Sequence, residues 1–384
     1  MLGLLRVSAV ANTPLPQPLT AGAVLVTGGG GFLGGAIVRQ LVARGARVRT
    51  LSRSTYPELT RLGVEQFPGD LADPVATQRA VAGCAVVFHV AAKAGIWGDY
   101  DSYHQANVTG TENILAACRQ HSVARLVYTS SPSVVFTGRD LEGANESLPY
   151  PAHFEAPYPQ TKALAEQRVL AANSPQLATV ALRPHLIWGP GDNHLVPRIL
   201  ARGRAGQLRH IGSRPNLVDS IYIDNAADAH LLAAEKLFPG SPVAGRAYFL
   251  SNGEPLPLWT LVNRILAADG QPPVTRSIPA GVAYAVGVVL EMVHRVLRLE
   301  SEPRMTRFLA HELSTAHWFD LTAARRDFGY EPKVSIDEGL RRLADWLRTQ
   351  PPRNRRGPDV GSKQPNPEPA PGPEKPRTNP DKHG

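Results

Sequence analysis

Cysteine is nearly missing: the 384-residue chain holds two, Cys84 and Cys118. That excludes a disulfide scaffold and a four-thiolate zinc site, and no metal site is expected. Long apolar runs are also lacking. None reaches the ~20 residues of a membrane-spanning helix; the run Ile278–Leu290 has 13. No charge of one sign dominates. Lys and Arg number 41 against 33 Asp and Glu, and residues 351–384 supply +3 of the net +8, so the rest is too mildly basic to predict a nucleic-acid partner. Residues 351–384 hold ten of the 35 prolines, no aromatic and a single aliphatic side chain larger than alanine, Val360. Such a segment cannot bury enough apolar surface to offset its ordering entropy and is expected to be a disordered tail. Residues 1–20, with Pro14, Pro16 and Pro18, are expected to be a flexible extension. The expected location is the cytoplasm, with contact at the inner membrane face through 278–299.

Short apolar runs alternate with helical periodicity. Strands are predicted at Ala23–Thr27, Val48–Leu51, Val86–Ala91, Leu126–Ser130 and Thr179–Leu182. Helices are predicted at Phe32–Arg44, Val75–Ala82, Val108–Gln120 and from about Gln160 to Ala172. Strands separated by helices imply crossover units, hence an α/β fold with a doubly wound, Rossmann-type parallel sheet. The expected organisation is a dinucleotide-binding domain over 21–189, joined by strands from 216–251 (Val218–Ile223 and Ala247–Leu250), and a smaller substrate-binding domain from 190–215 and 252–350.

Thr27-Gly28-Gly29-Gly30-Gly31-Phe32-Leu33-Gly34 directly follows the first strand and opens the first helix. Glycine lets the backbone turn with positive φ and approach a pyrophosphate, and the helix N-terminus offers free N–H groups and partial positive charge. Gly28, Gly31, Phe32, Leu33 and Gly34 are therefore candidate cofactor residues. An NAD site usually carries an acid at the end of the second strand. Here the chain reads Leu51-Ser52-Arg53-Ser54, and the Arg53 guanidinium suits a 2′-phosphate, so NADPH is predicted over NAD(H). Asp70, beside Leu71 in Gly69-Asp70-Leu71, is a candidate acceptor for the adenine amino group; the competing reading is a turn-forming Asp.

Tyr158-Pro159-Gln160-Thr161-Lys162 puts a phenol and an ammonium four residues apart, on one face of a helix. A phenol with a pKa of about 10 is a poor proton donor and acceptor at neutral pH, and a neighbouring ammonium lowers it. Pro157 and Pro159 place Tyr158 at the helix entrance. Ser131 follows a strand end, where ligands gather in parallel sheets, and is the candidate for holding the oxygen that Tyr158 protonates; Ser130 and Ser133 compete.

These pieces, in this order, resemble the extended short-chain dehydrogenase/reductases. The matching stretches are the glycine loop, Gly69-Asp70-Leu71, His89-Val90-Ala91-Ala92, Asn107-Val108-x-Gly110-Thr111, Tyr128-Thr129-Ser130-Ser131, Tyr158-x-x-x-Lys162 and Leu182-Arg183-Pro184. Tyr158-Pro159 and Tyr222-x-Asp224-Asn225-x-Ala227-x-Ala229-His230 are similar to the 3β-hydroxysteroid dehydrogenase/isomerase branch. Ala91–Gly98, Tyr103–Asn107, Trp188–His194 and Ser251–Pro255 look like the bacterial reductases of 2-alkyl-3-oxoalkanoates in long-chain olefin biosynthesis. The likeness covers about 22–350.

The resemblance implies that Ser131 orients a carbonyl, Tyr158 gives it a proton, and Lys162 holds the nicotinamide ribose and tunes Tyr158. It implies that Asn107 supports a water-linked proton path to Lys162, and that Ala91, Ala92 and Pro184 line the cofactor. The implied reaction is NADPH-dependent reduction of a long-chain 2-alkyl-3-oxoalkanoic acid to its 3-hydroxy acid. An NAD-dependent sterol 3β-hydroxy dehydrogenase, decarboxylating or not, is the alternative, and a non-catalytic NADP-binding regulator the alternative of another class. A homodimer and association with other enzymes of olefin formation are further expectations. A substrate carboxylate calls for a cation or donor; Lys93, His185 and Arg214 are candidates, with Trp97 as an apolar wall. Ile278–Leu290, followed by His294, Arg295 and Arg298, suits either a core or lid helix or one lying on a membrane surface.

Overall fold

The computed structural model describes residues 18–299 and 301–351. The proline-rich tail, apart from Pro351, and residues 1–17 lie outside the described residues. Leu19, read as part of the extension, is instead buried in the core.

A seven-stranded parallel sheet forms the centre: β1 (Ala23–Thr27), β2 (Arg47–Ser52), β3 (Glu65–Pro68), β4 (Cys84–His89), β5 (Arg125–Thr129), β6 (Ala178–Pro184) and β7 (Arg246–Leu250), in the order β7-β6-β5-β4-β1-β2-β3. β1, β5 and β6 are buried at every position, as expected of strands covered by helices on both faces. The strand order reverses between β1 and β4, and in open α/β sheets ligands bind at such a point, outside the carboxyl ends of the strands. Thr27, Ser52, His89, Thr129 and Pro184 all end their strands there.

Phe32–Ala43 and Ile223–Lys236 pack on one face through the apolar cluster of Ile37, Leu41, Ala227 and Leu231. Arg44 joins the two helices by ion pairs to Asp228 (3.1 Å) and Glu235 (2.6 Å). Gly110–Gln120 and Pro157–Ala171 cover the opposite face, with Ile114, Cys118, Ala165 and Val169 against Leu25, Val87 and Leu126.

Of the strands expected between 216 and 251, Arg246–Leu250 enters the central sheet as β7. Val218–Ile223 is not one strand. Leu217–Val218 pairs with Leu256–Pro257 and His317 in a small four-stranded sheet, whereas Ile221–Tyr222 pairs with Ile187–Trp188. Asp219 and Ser220 break the run because their side chains bind elsewhere: Asp219 accepts from the Phe319 N–H (2.8 Å) and Ser220 from the Trp188 indole (3.1 Å).

Candidate active site

The glycine loop takes the shape its composition predicts. Gly28 has φ +68°. A Cβ at Gly34 would lie 2.2 Å from the Gly28 carbonyl oxygen, so the helix can approach β1 this closely only with glycine there. Gly31 precedes Phe32–Ala43 with no side-chain cap, leaving the N–H groups of the first turn for a ligand. Ala91 sits against Gly28, 3.0 Å from where a Cβ would project, and the Thr27 hydroxyl oxygen accepts from the Val90 and Ala91 N–H groups (3.0 Å each).

At the end of β2 the Ser52 hydroxyl is buried without a partner, and no acid takes its place. Arg53 and Arg61 are exposed, and no carboxylate among the described residues pairs with either. A cavity of about 460 Å³ opens beside them, lined by Thr55, Tyr56, Pro57, Thr60 and Arg61. Tyr56 borders the loop so closely that a side chain at Gly30 would strike its ring. The Gly69 N–H donates to the Ser52 carbonyl (3.0 Å), which brings Asp70 beside β2. One Asp70 oxygen closes a turn onto the Ala72 N–H (2.9 Å), and Leu71 packs on Gly110. An uncapped helix N-terminus, a side-chain-free cradle and an orphaned hydroxyl fit a dinucleotide, and these residues would hold it.

Ser131 follows β5 and caps the short turn Pro132–Val135. Its hydroxyl lies 2.9 Å from that of Ser133 and accepts from the Ser133 N–H (3.2 Å), on the side of the Tyr158 phenol. The helix starts at Pro157, three residues before the predicted Gln160, so Tyr158 stands in its first turn. Burial holds the phenol above its usual value, with the Ser131 hydroxyl acting in the opposite sense. Ser130 is buried with its hydroxyl unpartnered.

Lys162 is 2 % exposed. Its ammonium donates to the Thr129 carbonyl (2.6 Å) and lies 4.1 Å from the Tyr128 ring centroid. Burial presses its pKa down to about 7 against the opposing charge of Glu166. The sequence places Lys162 on the face of Tyr158; the contacts of its ammonium run to Thr129 and Tyr128.

Asn107 lies in a π-helical turn, Gln105–Thr109, ahead of Gly110–Gln120. The predicted α-helix from Val108 misses this wide turn, a feature frequent at functional sites. The Asn107 amide accepts from the Lys93 N–H (2.7 Å) and donates to the Lys93 carbonyl and the Thr161 hydroxyl (3.1 Å each). Both ends of the amide are therefore engaged, and through them it grips the 93 backbone.

Two buried histidines that no spacing argument singled out tie these parts together. His230 faces the Ala226 carbonyl through Nδ1 (2.7 Å), which must then be the donor, so Nε2 accepts from the Thr129 hydroxyl (2.8 Å). His89 links Thr27 on Nδ1 to Thr111 on Nε2 (2.9 Å each), and the Thr111 hydroxyl donates to the Asn107 carbonyl (2.6 Å). Burial, with help from the Lys162 charge, lowers His89 to about 3, and burial lowers His230 to about 4, so both are neutral positioning groups. Below them Glu166 and Arg183 form a buried double contact (2.5 and 3.0 Å), with the Tyr150 hydroxyl donating to Glu166 (2.6 Å).

The candidate substrate residues divide. Lys93 follows Ala91 and Ala92 at the open end of β4, half-buried, its ammonium on the Ser102 hydroxyl and 4.6 Å from the Tyr103 ring centroid. Trp97 borders His294 and reaches the Leu299 carbonyl (3.5 Å). His185 cannot serve as the cation: it is buried 2.7 Å from His317, and both burial and that neighbour push it well below the usual range. Arg214 is 75 % exposed and paired with Asp140 (3.1 Å) at the surface, so it too leaves the list of carboxylate partners.

Residues 25–279 match the model of the 3-beta hydroxysteroid dehydrogenase/isomerase family. A 2-alkyl-3-oxoalkanoate reductase of Stenotrophomonas maltophilia is 59% identical over 322 residues, 83% of this chain and 98% of that protein. A human protein described as sterol-4-alpha-carboxylate 3-dehydrogenase, decarboxylating, is 34% identical over 84% of this chain and 87% of its own. Among solved structures, a UDP-glucose 4-epimerase of Thermus thermophilus in complex with NAD superposes with a TM-score of 0.64 at 26% identity, covering 85% of this chain and 99% of the epimerase. With its glycine loop, Ser131, Tyr158 and Lys162 gathered at one end of a parallel sheet, the chain is an oxidoreductase of the short-chain dehydrogenase/reductase type and belongs to the 3-beta hydroxysteroid dehydrogenase/isomerase family.

Proposed function

We propose that this protein reduces the 3-oxo group of a long-chain 2-alkyl-3-oxoalkanoic acid to the 3-hydroxy acid with NADPH. The observation that carries it is the placement of Ser131 just past β5 and of Tyr158 in the first turn of Pro157–Ala171, with Ser131 near enough to act on the phenol, in a chain 59% identical to a 2-alkyl-3-oxoalkanoate reductase. When bound, the dihydronicotinamide supplies the hydride. The Ser131 hydroxyl holds the ketone oxygen, and Tyr158 delivers the proton that completes the alcohol. Lys162, brought near 7 by burial, is matched to restoring that proton at neutral pH. Asn107 holds the 93 backbone, and the Lys93 ammonium is the candidate partner of the substrate carboxylate, with Trp97 as an apolar wall. A homodimer and association with the enzymes that make the keto acid and consume the alcohol belong to the same reading.

The test is NADPH consumption with a long-chain 2-alkyl-3-oxo acid, run beside NAD⁺ reduction with a 3β-hydroxysterol. Turnover of the keto acid supports the proposal. Oxidation of the sterol with indifference to the acid would establish the second reading, which the 34% identical sterol dehydrogenase favours. The cofactor preference has its own check. Arg53→Ala should lower kcat/KM for NADPH by roughly 10- to 100-fold, the worth of about 1.5–3 kcal/mol for hydrogen bonds to a charged group, and leave NADH nearly unchanged. Equal use of both cofactors by the unsubstituted enzyme would remove Arg53 from the site.

A further inference from the structure

The 17-residue helix Ala280–Val296 is attached to the molecule by a narrow stripe and turns its apolar side outward. Ala283, Gly287 and Glu291 are its buried residues. A Cβ at Gly287 would lie 2.7 Å from the Thr306 carbonyl carbon, so this contact tolerates nothing larger. Glu291 pins the stripe by accepting from the Arg307 N–H (2.7 Å) and guanidinium (2.9 Å). On a 3.6-residue period Val282, Val286, Val289, Val293 and Val296 fall on the opposite side, with Val288 and Met292 widening the face. All seven are exposed, Val296 by 74 % and Met292 by 59 %. A contiguous exposed apolar face marks an interaction site.

Its charged surroundings favour one occupant. Arg295 and Arg298 follow the face, and Arg276 and Arg304 flank the helix in sequence; all four are exposed, and none forms an ion pair among the described residues. The helix's one acid, Glu291, is buried and committed. A second copy docking here would set arginines against arginines, a like-charge juxtaposition that interfaces avoid. An anionic lipid surface accepts both the apolar face and the cations. The helix also adjoins the loops around the site. Trp97, six residues past Ala91, touches Leu299 and His294. Tyr284 stacks on His311 (5.0 Å), which contacts Glu155 (3.1 Å), three residues before Tyr158.

We propose that the outward face of Ala280–Val296 docks on an anionic lipid surface and so sets the mouth of the catalytic crevice beside the phase that holds a long-chain substrate. Only the second half of this rests on the reductase reading. No described helix is long and apolar enough to cross a membrane, so the contact is peripheral.

The test is sedimentation of the full-length protein with vesicles of phosphatidylglycerol and phosphatidylcholine, or of phosphatidylcholine alone. The expected result is binding to the anionic vesicles that weakens with salt. Val289→Glu with Met292→Glu should abolish it, and Arg295→Ala with Arg298→Ala should weaken it by roughly tenfold or more, from the worth of cations at such a surface. These side chains are outside the core, so the variants should keep wild-type turnover of a short, water-soluble 2-alkyl-3-oxo acid. Wild-type protein left in the supernatant would overturn the proposal, as would vesicle binding indifferent to the glutamates. So would a dimer in sedimentation velocity that Val289→Glu with Met292→Glu dissociates while vesicles bind nothing, since the face would then belong to a second copy. Vesicle binding requires no turnover, so a protein that binds vesicles but reduces no keto acid would count against the reductase reading alone.

Discussion

Tyr158→Phe should lower kcat by about 10²–10⁴-fold, the usual worth of a positioned proton donor, while NADPH binding and stability stay close to wild type. The reasoning rests on where the hydroxyl lies. It lies by Ser131, which acts on its proton affinity, and phenylalanine keeps the ring and its packing while removing the hydroxyl that would hand a proton to a ketone oxygen. The phenol does not contribute to the glycine loop, which is why cofactor affinity should survive. Burial raises the phenol in the structure as described, so it holds its proton at neutral pH and is in the form from which a proton can be given. Reduction asks for the donor. Stopped-flow measurement of NADPH oxidation, with fluorescence titration of NADPH, checks both halves. Turnover undiminished in the phenylalanine variant would mean that another group protonates the substrate, and the site as assembled here would be wrong.

Glu166→Ala should destabilise the fold by about 3–5 kcal/mol, as removal of one member of a buried ion pair does. Glu166 is fully buried and Arg183 is 3 % exposed. Arg183 lies 5.1 Å from the Phe249 ring centroid and 5.9 Å from that of Tyr150, and its Nη1 already lacks a partner. Alanine at 166 would leave a guanidinium in an apolar cage and orphan the Tyr150 hydroxyl. Replacing both members by apolar residues of similar size, Glu166→Leu with Arg183→Met, should recover most of the loss, because the penalty comes from the uncompensated charge. Urea midpoints of the single and double variants measure this. A double variant no more stable than Glu166→Ala would show that the pair is worth more than the desolvation it costs. Because the opposing charge on Lys162 comes from Glu166, the single variant should also lower the Lys162 pKa further.

The layout of the sheet and the glycine loop were legible in the sequence because both are local. β1 was predicted to the residue, and the other predicted members of the central sheet to within one or two, since strands buried on both faces read as short apolar runs bounded by turns. Gly28 and Gly34 announced themselves by position alone. What could not be read was everything fixed by a distant partner. His185 meets His317 132 residues away, and Arg214 meets Asp140 across 74; each looked like a cation in search of a ligand until its neighbour was known. Asp219 and Ser220 are likewise ordinary residues within an apolar run, and only their bonds to the Phe319 backbone and to Trp188 explain why the run splits between two sheets. Lys162 illustrates the same limit inside a recognised motif: spacing placed it on the face of Tyr158, whereas the Thr129 carbonyl decides where the ammonium rests.

The grip of Asn107 has a consequence for how the enzyme can diversify. Because the amide seizes residue 93 by its N–H and C=O, its grip does not depend on the side chain, whose own contacts are the Ser102 hydroxyl and the Tyr103 ring. Position 93 is thus a socket whose backbone is held separately from its side chain: a shorter or neutral side chain gives up the contacts with Ser102 and Tyr103 but keeps the backbone support. Libraries that aim to retune which acyl compounds are accepted should begin at 93 and leave 107 alone.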